Sequence, residues 1–360
     1  MKRILTIGSA VYDIFIEYEQ PISKTIDHHQ YLMLPEGRKI AVTAVSHYSG
    51  GGATNSAVAF KQLGFNVESF FKVGADAEGE FVLQEMRDYK VIIDHVITTE
   101  QTNTGTSYII LSPSGNHPIL VDRGANLLIA QQDLPLDQIA GLDQLYVSSL
   151  SGTAADVLPI IAQTAAAQKV PLATNPGMSQ LTENTHSLLV SLPLIHTLIL
   201  NAHEAQYLMC AMLGTGTPYR KKTAQYNASI PELFHTWMNI EGQAYTIQDY
   251  FDALAARGVK IAVVTNGAEG VYVANGNHLI FHRAPRVTVV SSVGAGDAFA
   301  SCFVGSLALG HSLENAVRRS IINSMSVLQY IGAKTGLLSS QELDQRLESF
   351  DKTLLQDYKH

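Results

Sequence analysis

The chain carries the stretch Val293-Gly294-Ala295-Gly296-Asp297-Ala298-Phe299 between a strand-like run, Arg286 to Val290, and an apolar helical pattern, Ala298 to Leu309. The small residues Gly294, Ala295 and Gly296 let the backbone approach a ligand closely, and a helix start offers free N–H groups to an anion. Asp297, in the first turn, is placed to accept a proton from a hydroxyl held against a bound phosphate. The stretch therefore predicts a phosphate-binding site next to a general base. The simpler alternative is a glycine-rich turn with Asp297 as a helix cap.

A second arrangement of strand, glycines and helix occurs at Ser49-Gly50-Gly51-Gly52-Ala53-Thr54-Asn55. Consecutive glycines, including Gly51 and Gly52, can wrap closely around a ligand, and the amide of Asn55 offers hydroxyl groups both a donor and an acceptor. Asn55 stands where the dinucleotide fingerprint G-x-G-x-x-G requires its last glycine, and the chain contains no G-x-x-x-x-G-K-S/T. By itself the loop is equally compatible with a tight turn.

Three further polar pieces follow strand-like runs, which is where open α/β sheets bind their ligands. They are Asp13, the pair Asn201 and Glu204, and a turn that contains Thr265 and Gly267. The i, i+3 spacing of Asn201 and Glu204 puts both side chains on one helical face, suitable for holding the waters of a magnesium ion. The alternative for Glu204 is a solvated carboxylate at a helix start.

Strand-like runs alternate with helical patterns along most of the chain, which predicts an α/β fold with a mainly parallel sheet and helices on both faces. Residues 1–345 are predicted to form one domain. Two segments with strand-like alternation, about 11–48 and 104–122, are predicted to form a small β-sheet lid. Residues 214–245 have no clear period and are predicted to be an insertion, and residues 341–360 a C-terminal helix.

The composition restricts the class of protein and its partners. The 360 residues are 46% hydrophobic and 16% charged, which is enough to bury a large core. Lys and Arg number 24 against 32 Asp and Glu, and the resulting net charge of -8 argues against a nucleic-acid partner. Cys210 and Cys302 lie in apolar helical stretches, which favours buried free thiols and a reducing cytoplasm. No apolar run is long enough to predict a signal peptide or a membrane span.

Taken in order from Ile4 to about Leu338, these pieces resemble the ribokinase or PfkB family of carbohydrate and nucleoside kinases. The loop Gly50 to Asn55, followed by Gly64 and Gly74-Ala75-Asp76, looks like the N-terminal signature of that family, and Gly294-Ala295-Gly296-Asp297 looks like the C-terminal one. The resemblance implies a ribokinase-like, Rossmann-type three-layer core with a β-sheet lid. It also implies a kinase that uses ATP and Mg²⁺ to phosphorylate a hydroxymethyl group of a small sugar or nucleoside.

The resemblance further implies a role for each candidate residue. The sugar hydroxyls would be held by Asp13, Gly51, Gly52 and Asn55. The transferring phosphate would meet an anion hole formed by Gly294, Ala295 and Gly296, with Asp297 as the base. Magnesium would be placed through water by Asn201 and Glu204, and the nucleotide would be bordered by Thr265, Gly267 and the helix around Asn323.

The sequence departs from the family pattern at one place, and alternatives to the implied function remain. The family usually has Asp-Thr where this chain has Ser291-Ser292, and because that aspartate helps to ligate a monovalent cation in many relatives, activation by potassium is in doubt. A phosphosugar kinase of the same fold is an alternative, with Arg123 as the lid-adjacent candidate for a distal phosphate. A non-catalytic ligand-binding relative is another. The exposed edges of the lid predict a possible homodimer joined through the lids.

Overall fold

The computed structural model describes residues 1–19, 21–26, 29–215, 230–235, 237–240, 242–276 and 278–359. Its strands are β1 Arg3–Ile7, β2 Val11–Tyr18, β3 Ile22–Ile26, β4 His29–Met33, β5 Val42–Gly50, β6 Asn66–Phe70, β7 Lys72–Gly74, β8 Ile97–Thr99, β9 Gly105–Ile110, β10 Ile119–Asp122, β11 Gln144–Val147, β12 Leu172–Thr174, β13 Thr197–Asn201, β14 Met238–Ile240, β15 Gln243–Tyr245, β16 Ile261–Thr265, β17 Gly270–Asn275, β18 His278–Arg283 and β19 Leu355–Lys359. Its α-helices are α1 Gly52–Gln62, α2 Ala77–Asp88, α3 Leu158–Ala167, α4 Met178–Thr182, α5 Thr185–Ser191, α6 Ala202–Leu213, α7 Ile247–Ala255, α8 Ala295–Leu309, α9 Leu313–Val327 and α10 Ser340–Ser349.

The central sheet has nine strands in the order β19-β18-β17-β16-β13-β12-β11-β1-β6. The strands from β6 to β16 pair in parallel, and β17, β18 and β19 extend that edge antiparallel to their neighbours. Parallel strands need both faces covered, and accordingly β11 and β12 are buried at every position. The predicted mainly parallel sheet is confirmed.

Helices cover both faces of this sheet and bury two apolar cores. Helices α3 to α7 pack on one face, where Leu158, Leu208 and Tyr250 are buried. Helices α1, α2, α8, α9 and α10 pack on the other face, where Phe60 and Phe303 are buried. The result is the three-layer α/β arrangement that the alternation of strands and helices predicts.

The segments predicted as a lid contribute a separate four-stranded sheet in the order β10-β9-β2-β5. Its strand β2 buries Asp13 and Phe15 on one face, while Ile14 and Ile16 on the other face are only partly buried. Strand β5 ends at Gly50, and helix α1 begins two residues later at Gly52. The lid sheet therefore joins the core directly at the first glycine loop. Strands β3 and β4 form a further hairpin of their own.

Several sequence predictions differ from the structure. The run from 286 to 290 is not a strand, and residues 284–289 are irregular. Of the predicted C-terminal helix 341–360, only α10, Ser340–Ser349, is α-helical, because the chain then adds β19 to the free edge of β18. Of the predicted insertion 214–245, residues 216–229, 236 and 241 lie outside the described residues, and the described part includes the β14–β15 hairpin. Over the described ranges, no helix combines the length and apolar character needed to cross a bilayer.

Candidate active site

Helix α8 begins at the second glycine stretch. Its N-cap is Gly294, with a left-handed φ of 78°, and a Cβ atom there would lie 2.2 Å from the Cβ of Ala333. Only glycine therefore allows both this turn and this close approach. The 15-residue helix that follows starts with Ala295 and Gly296, so the positive end of its dipole lies at the predicted anion hole, where the N–H of Ala295 donates to the carbonyl of Ser292 at 3.3 Å.

Asp297 lies in the first turn of α8 and faces the first glycine stretch. The side-chain amide Nδ2 of Asn55, in α1, donates a hydrogen bond of 2.8 Å to Oδ2 of Asp297. No side-chain capping bond is made at the start of α8, so Asp297 does not act as the helix cap. Burial raises the pKa of Asp297, while the hydrogen bond from Asn55 and the charge of Lys334 oppose that rise. The structure therefore brings the two glycine stretches together around one carboxylate.

Asp13 lies on the inner face of the lid and is only 5% exposed. Burial raises its pKa to about 6, and Lys334 and a hydrogen bond with Ser107 counteract part of this rise. A side chain at position 50 has no room, because a Cβ atom on Gly50 would lie 1.9 Å from Oδ2 of Asp13. The charge of Asp297 also raises the pKa of Asp13, so the two carboxylates are close enough to interact.

The other glycines of the first loop begin helix α1. Gly51 is the N-cap, with a left-handed φ of 93°, and the N–H of Gly52 donates to Oγ of Ser9 at 3.2 Å. Both residues thus lie between the Ser9-Ala10 turn before β2 and the buried Asn55. The predicted substrate-binding residues of the first loop lie in one region of the structure.

Asn201 and Glu204 form a reciprocal capping box at the start of α6. The N–H of Glu204 donates to Oδ1 of Asn201 and the N–H of Asn201 donates to Oε2 of Glu204, both at 2.9 Å. Burial raises the pKa of Glu204 to about 6, and the charge of Asp297 adds to that rise. The pair therefore has a structural role at this helix, and Glu204 also lies near the carboxylate of Asp297.

A cleft of about 630 Å³ opens beside the start of α8. It is lined by Ser114, Asn116, Thr265, Gly267, Ala268, Gly270, Val271, Ala284, Pro285, Arg286, Val287, Val289, Ser292, Ala295, Gly296, Phe299, Ile321, Ser324, Met325 and Leu328. The cleft thus includes the predicted Thr265 and Gly267 and ends at two residues of the predicted anion hole. Its size and its mostly apolar lining are typical of a small-molecule site.

The side chain of Asn323, in the helix predicted to border the nucleotide, is engaged within the protein. Asn323 is 2% exposed, its Nδ2 donates to the carbonyl of Ala298 at 3.0 Å, and its Oδ1 accepts from the N–H of Leu338 at 3.0 Å. Both ends of the amide therefore hold α8, α9 and the following segment together. The same helix lines the cleft through Ile321 and Ser324 instead.

Two features of the site escaped the sequence predictions. The N–H of Ser292 donates to the carbonyl of Gly115 at 2.9 Å, so the β9–β10 turn of the lid reaches the loop before α8. Lys334 is 7% exposed, and its ammonium interacts with Asp13, Glu85 and Asp297. A lysine between small residues, Gly332-Ala333-Lys334-Thr335-Gly336, is the signal that could have identified it.

Comparison with known proteins places this arrangement in a family. The family model described as pfkB family carbohydrate kinase matches residues 1–340. The ribokinase of Bacillus subtilis strain 168 is 25% identical over 350 residues, which cover 96% of this chain and 100% of that protein.

Solved structures have the same fold. The structure of Arabidopsis thaliana ribokinase complexed with ribose and ATP is similar with a TM-score of 0.73 and 21% identity, and the match covers 98% of this chain and 100% of that one. The nucleoside kinase of Methanocaldococcus jannaschii, an archaeal member of the ribokinase family, gives a TM-score of 0.72 with 18% identity, covering 97% of this chain and 99% of that one. The chain therefore belongs to the pfkB family of carbohydrate kinases, and it is a kinase with the ribokinase fold.

Proposed function

We propose that this kinase transfers the terminal phosphoryl group of ATP to a hydroxymethyl group of a small neutral sugar or nucleoside, of the ribosyl or ketose type. The observation that carries the proposal is the hydrogen bond from Asn55 to Asp297. Asn55 belongs to the loop that would hold the sugar, and Asp297 would activate the sugar hydroxyl. Asp297 also lies at the start of α8, which would bind the transferring phosphate.

Asp297 acts as the general base. The sugar lies between the lid and the first glycine loop, where Asp13 and Asn55 accept and donate hydrogen bonds to its hydroxyl groups. Asp297 accepts the proton of the hydroxymethyl group as the oxygen attacks phosphorus. The N–H groups around Gly294, Ala295 and Gly296 stabilise the negative charge on the transferring phosphoryl group, and the α8 dipole adds to that effect.

The cleft fits the nucleotide and its metal. It has a suitable volume, is largely apolar beside Thr265 and Gly267, and ends at the anion hole. Magnesium in nucleotide sites keeps several waters and is bound through one or two carboxylates together with phosphates. Glu204, whose pKa is raised by burial and by the charge of Asp297, would supply such a carboxylate. When bound, the metal supplies charge neutralisation to the phosphates. Asn201 and Glu204 would then orient its waters.

A neutral acceptor suits the charge of the sugar position better than a phosphosugar. Three carboxylates, Asp13, Glu85 and Asp297, act electrostatically on the one ammonium of Lys334, so negative charge is in excess there. Arg123, the lid-adjacent candidate for a distal phosphate, is exposed and donates to Oγ of Ser151. A second phosphate near this site would meet repulsion from the carboxylates.

Turnover, rather than simple ligand binding, is favoured by the position of Asp297. A binding protein has no need of a buried carboxylate with a raised pKa opposite a helix start, whereas proton transfer from a hydroxyl requires a base at that place. The buried thiols of Cys210 and Cys302 agree with a reducing cytoplasm as the place of action.

A substrate panel tests the proposal. ADP release is measured with ribose, fructose, adenosine, inosine and fructose phosphates at fixed ATP and Mg²⁺, and binding of each compound is measured by isothermal titration. We expect turnover with at least one neutral sugar or nucleoside and much less with the phosphates. Binding without ADP release for every compound would instead favour a non-catalytic relative, and turnover confined to the fructose phosphates would favour the phosphosugar alternative.

A further inference from the structure

Lys334 is a buried charge beside the site that the proposed chemistry does not use. It follows helix α9 and is 7% exposed, although an ammonium loses much hydration when it is buried. Burial lowers its pKa, and the charges of Glu85, Asp13 and Asp297 oppose that change. A buried lysine is retained only where its partners compensate for the lost water, so the partners indicate its role.

The first partner is the junction between lid and core. The ammonium Nζ donates to the carbonyl of Ser49 and, at 2.7 Å, to its Oγ. Glu85 in α2 accepts the N–H of Ser49 at 2.8 Å through Oε2, and its Oε1 lies 3.8 Å from Nζ. Ser49 is thus held at its N–H, its carbonyl and its hydroxyl. It is the residue before Gly50, where strand β5 of the lid ends and the substrate loop begins.

The second partner is the start of α8. Ala333, the residue before Lys334, packs so closely against Gly294 that no side chain fits there. The ammonium also lowers the pKa of Asp297 in α8 and of Asp13 in β2. One short segment therefore contacts the lid junction and the start of α8, and its ammonium also acts electrostatically on both carboxylates of the site.

We propose that Lys334 is a positioning residue of the sugar site, which holds Ser49 and Gly50 at the lid junction beside Asp13 and Asp297. The inference rests on the proposed function, since it assigns the sugar to Asp13 and the base to Asp297. Lys334 acts through these residues and does not itself contact the reacting atoms. Its loss should affect sugar binding and pH dependence more than ATP binding.

The chain offers a matched structural control in Lys72. Its Nζ donates to the carbonyl of Leu128 at 3.0 Å and pairs with Asp133 at 2.9 Å, and it is also largely buried. None of these three residues lines the cleft. Lys72→Met therefore removes a buried ammonium, a carbonyl contact and an ion pair without touching the site.

The experiment compares Lys334→Met with Lys72→Met and the wild-type enzyme. For Lys334→Met we expect the KM for the sugar to rise by about tenfold, because a hydrogen bond to a charged group is lost. The KM for ATP should change by less than about twofold. Without the ammonium, the pKa values of Asp13 and Asp297 rise, so the acidic limb of the kcat/KM profile should move to higher pH. Lys72→Met should lower only the melting temperature.

A second variant separates charge from shape. Lys334→Gln keeps a donor for Ser49 but has no charge, so it should retain more sugar affinity than Lys334→Met and still show the shifted acidic limb. If both variants keep the wild-type sugar KM and pH profile, and lose only stability as Lys72→Met does, the inference is wrong. If Lys334→Met does not fold, the pH profile of Lys334→Gln decides.

Failure of the inference is distinct from failure of the proposed function. Wild-type turnover is measured in the same assays. Absence of wild-type turnover with every neutral sugar and nucleoside contradicts the proposed function, and sugar binding to the variants by titration calorimetry then decides the role of Lys334. If the wild-type enzyme turns over, but the Lys334 variants keep its sugar KM and its pH profile, only the role of Lys334 is contradicted.

Discussion

Asn55 and Asp297 are 242 positions apart in the chain, and their side chains meet in a hydrogen bond of 2.8 Å. The bond joins the first turns of α1 and α8, which start at the two glycine stretches. It leaves Oδ1 of Asn55 buried and without a hydrogen-bond partner among the described residues. A ligand hydroxyl is the kind of donor that such an acceptor needs.

The first prediction concerns Asn55→Ala. Since the hydrogen bond from Asn55 lowers the pKa of Asp297, its loss should raise that pKa further above its ordinary value. Activity requires the ionised base, so the acidic limb of the kcat profile should move to higher pH, and kcat at pH 6 should fall more than kcat at pH 8. The loss near neutral pH should be about tenfold.

Asn184→Ala is the control for that experiment. Nδ2 of Asn184 donates to Oδ1 of Asp156 at 3.1 Å, so it is also an amide that contacts a carboxylate, and neither residue lines the cleft. Its pH profile should match that of the wild-type enzyme. An acidic limb that stays in place in Asn55→Ala would show that Asn55 does not tune the base.

The second prediction separates two roles of Glu204. Because Oε2 accepts the N–H of Asn201, Glu204→Gln keeps an oxygen for the capping box, whereas Glu204→Ala does not. If the carboxylate also orients the waters of magnesium, both variants should need more Mg²⁺ for half-maximal rate, and only Glu204→Ala should lose thermal stability. A Gln variant with the wild-type magnesium titration would restrict Glu204 to its capping role.

The third prediction concerns the monovalent ion. Ser291 is fully buried, and its Oγ accepts the N–H of Val293 at 3.3 Å. A hydroxyl offsets the lost hydration of potassium less well than a carboxylate, so we expect little activation of the wild-type enzyme by potassium chloride. Choline chloride at the same ionic strength is the control. Strong activation of the wild-type enzyme would mean that other oxygens complete a cation site.

The variant Ser291→Asp provides a readout that does not depend on activity. A carboxylate buried at this position without a counter-ion is costly, so the melting temperature should fall in potassium-free buffer. Added potassium should restore the melting temperature and increase the rate. A melting temperature that is insensitive to potassium would argue against a latent cation site at Ser291.

The fourth prediction concerns a homodimer joined through the lids. Ile14, Tyr108 and Leu120 are register neighbours on three adjacent lid strands, and Leu120 is 61% exposed. Strands β5 and β10 are the two edges of this sheet. Exposed apolar side chains beside free strand edges favour pairing with a second copy. Sedimentation velocity at micromolar concentration should show a dimer, and Leu120→Glu should shift it to monomer.

Val190→Glu serves as its control, because Val190 is also an exposed apolar residue, at 47%, and lies on α5 away from the lid. It should leave the dimer intact. If the wild-type protein sediments as a monomer at micromolar concentration, the prediction of a dimer is wrong.

The sequence reveals those parts of the site that depend on local backbone chemistry. Glycines before Asn55 and Asp297 mark loop-to-helix turns because left-handed or crowded backbone there excludes other residues. The small residues around Lys334 mark its segment as unusual, but they do not reveal its role, which depends on Ser49, 285 positions away. For the same reason, the amide of Asn323 could not be distinguished from a ligand-binding one before its partners were known.

The structure of the C-terminal segment could also be predicted from the sequence only in part. The predicted helix 341–360 is α-helical only in Ser340–Ser349, and Leu355–Lys359 instead pairs with β18, whose edge is free in the folded sheet. Strand pairing depends on a distant partner, whereas helical hydrogen bonds are local.

The turnover of Asp297→Asn tests the proposed base most directly. Asparagine keeps the shape of aspartate but cannot accept the proton, so kcat should fall by roughly 10²- to 10⁴-fold while the affinity for ATP changes little. An unaltered melting temperature would show that the variant is folded. If the variant keeps more than about a tenth of the wild-type kcat, proton transfer to Asp297 does not drive the reaction, and the site must activate the hydroxyl in another way.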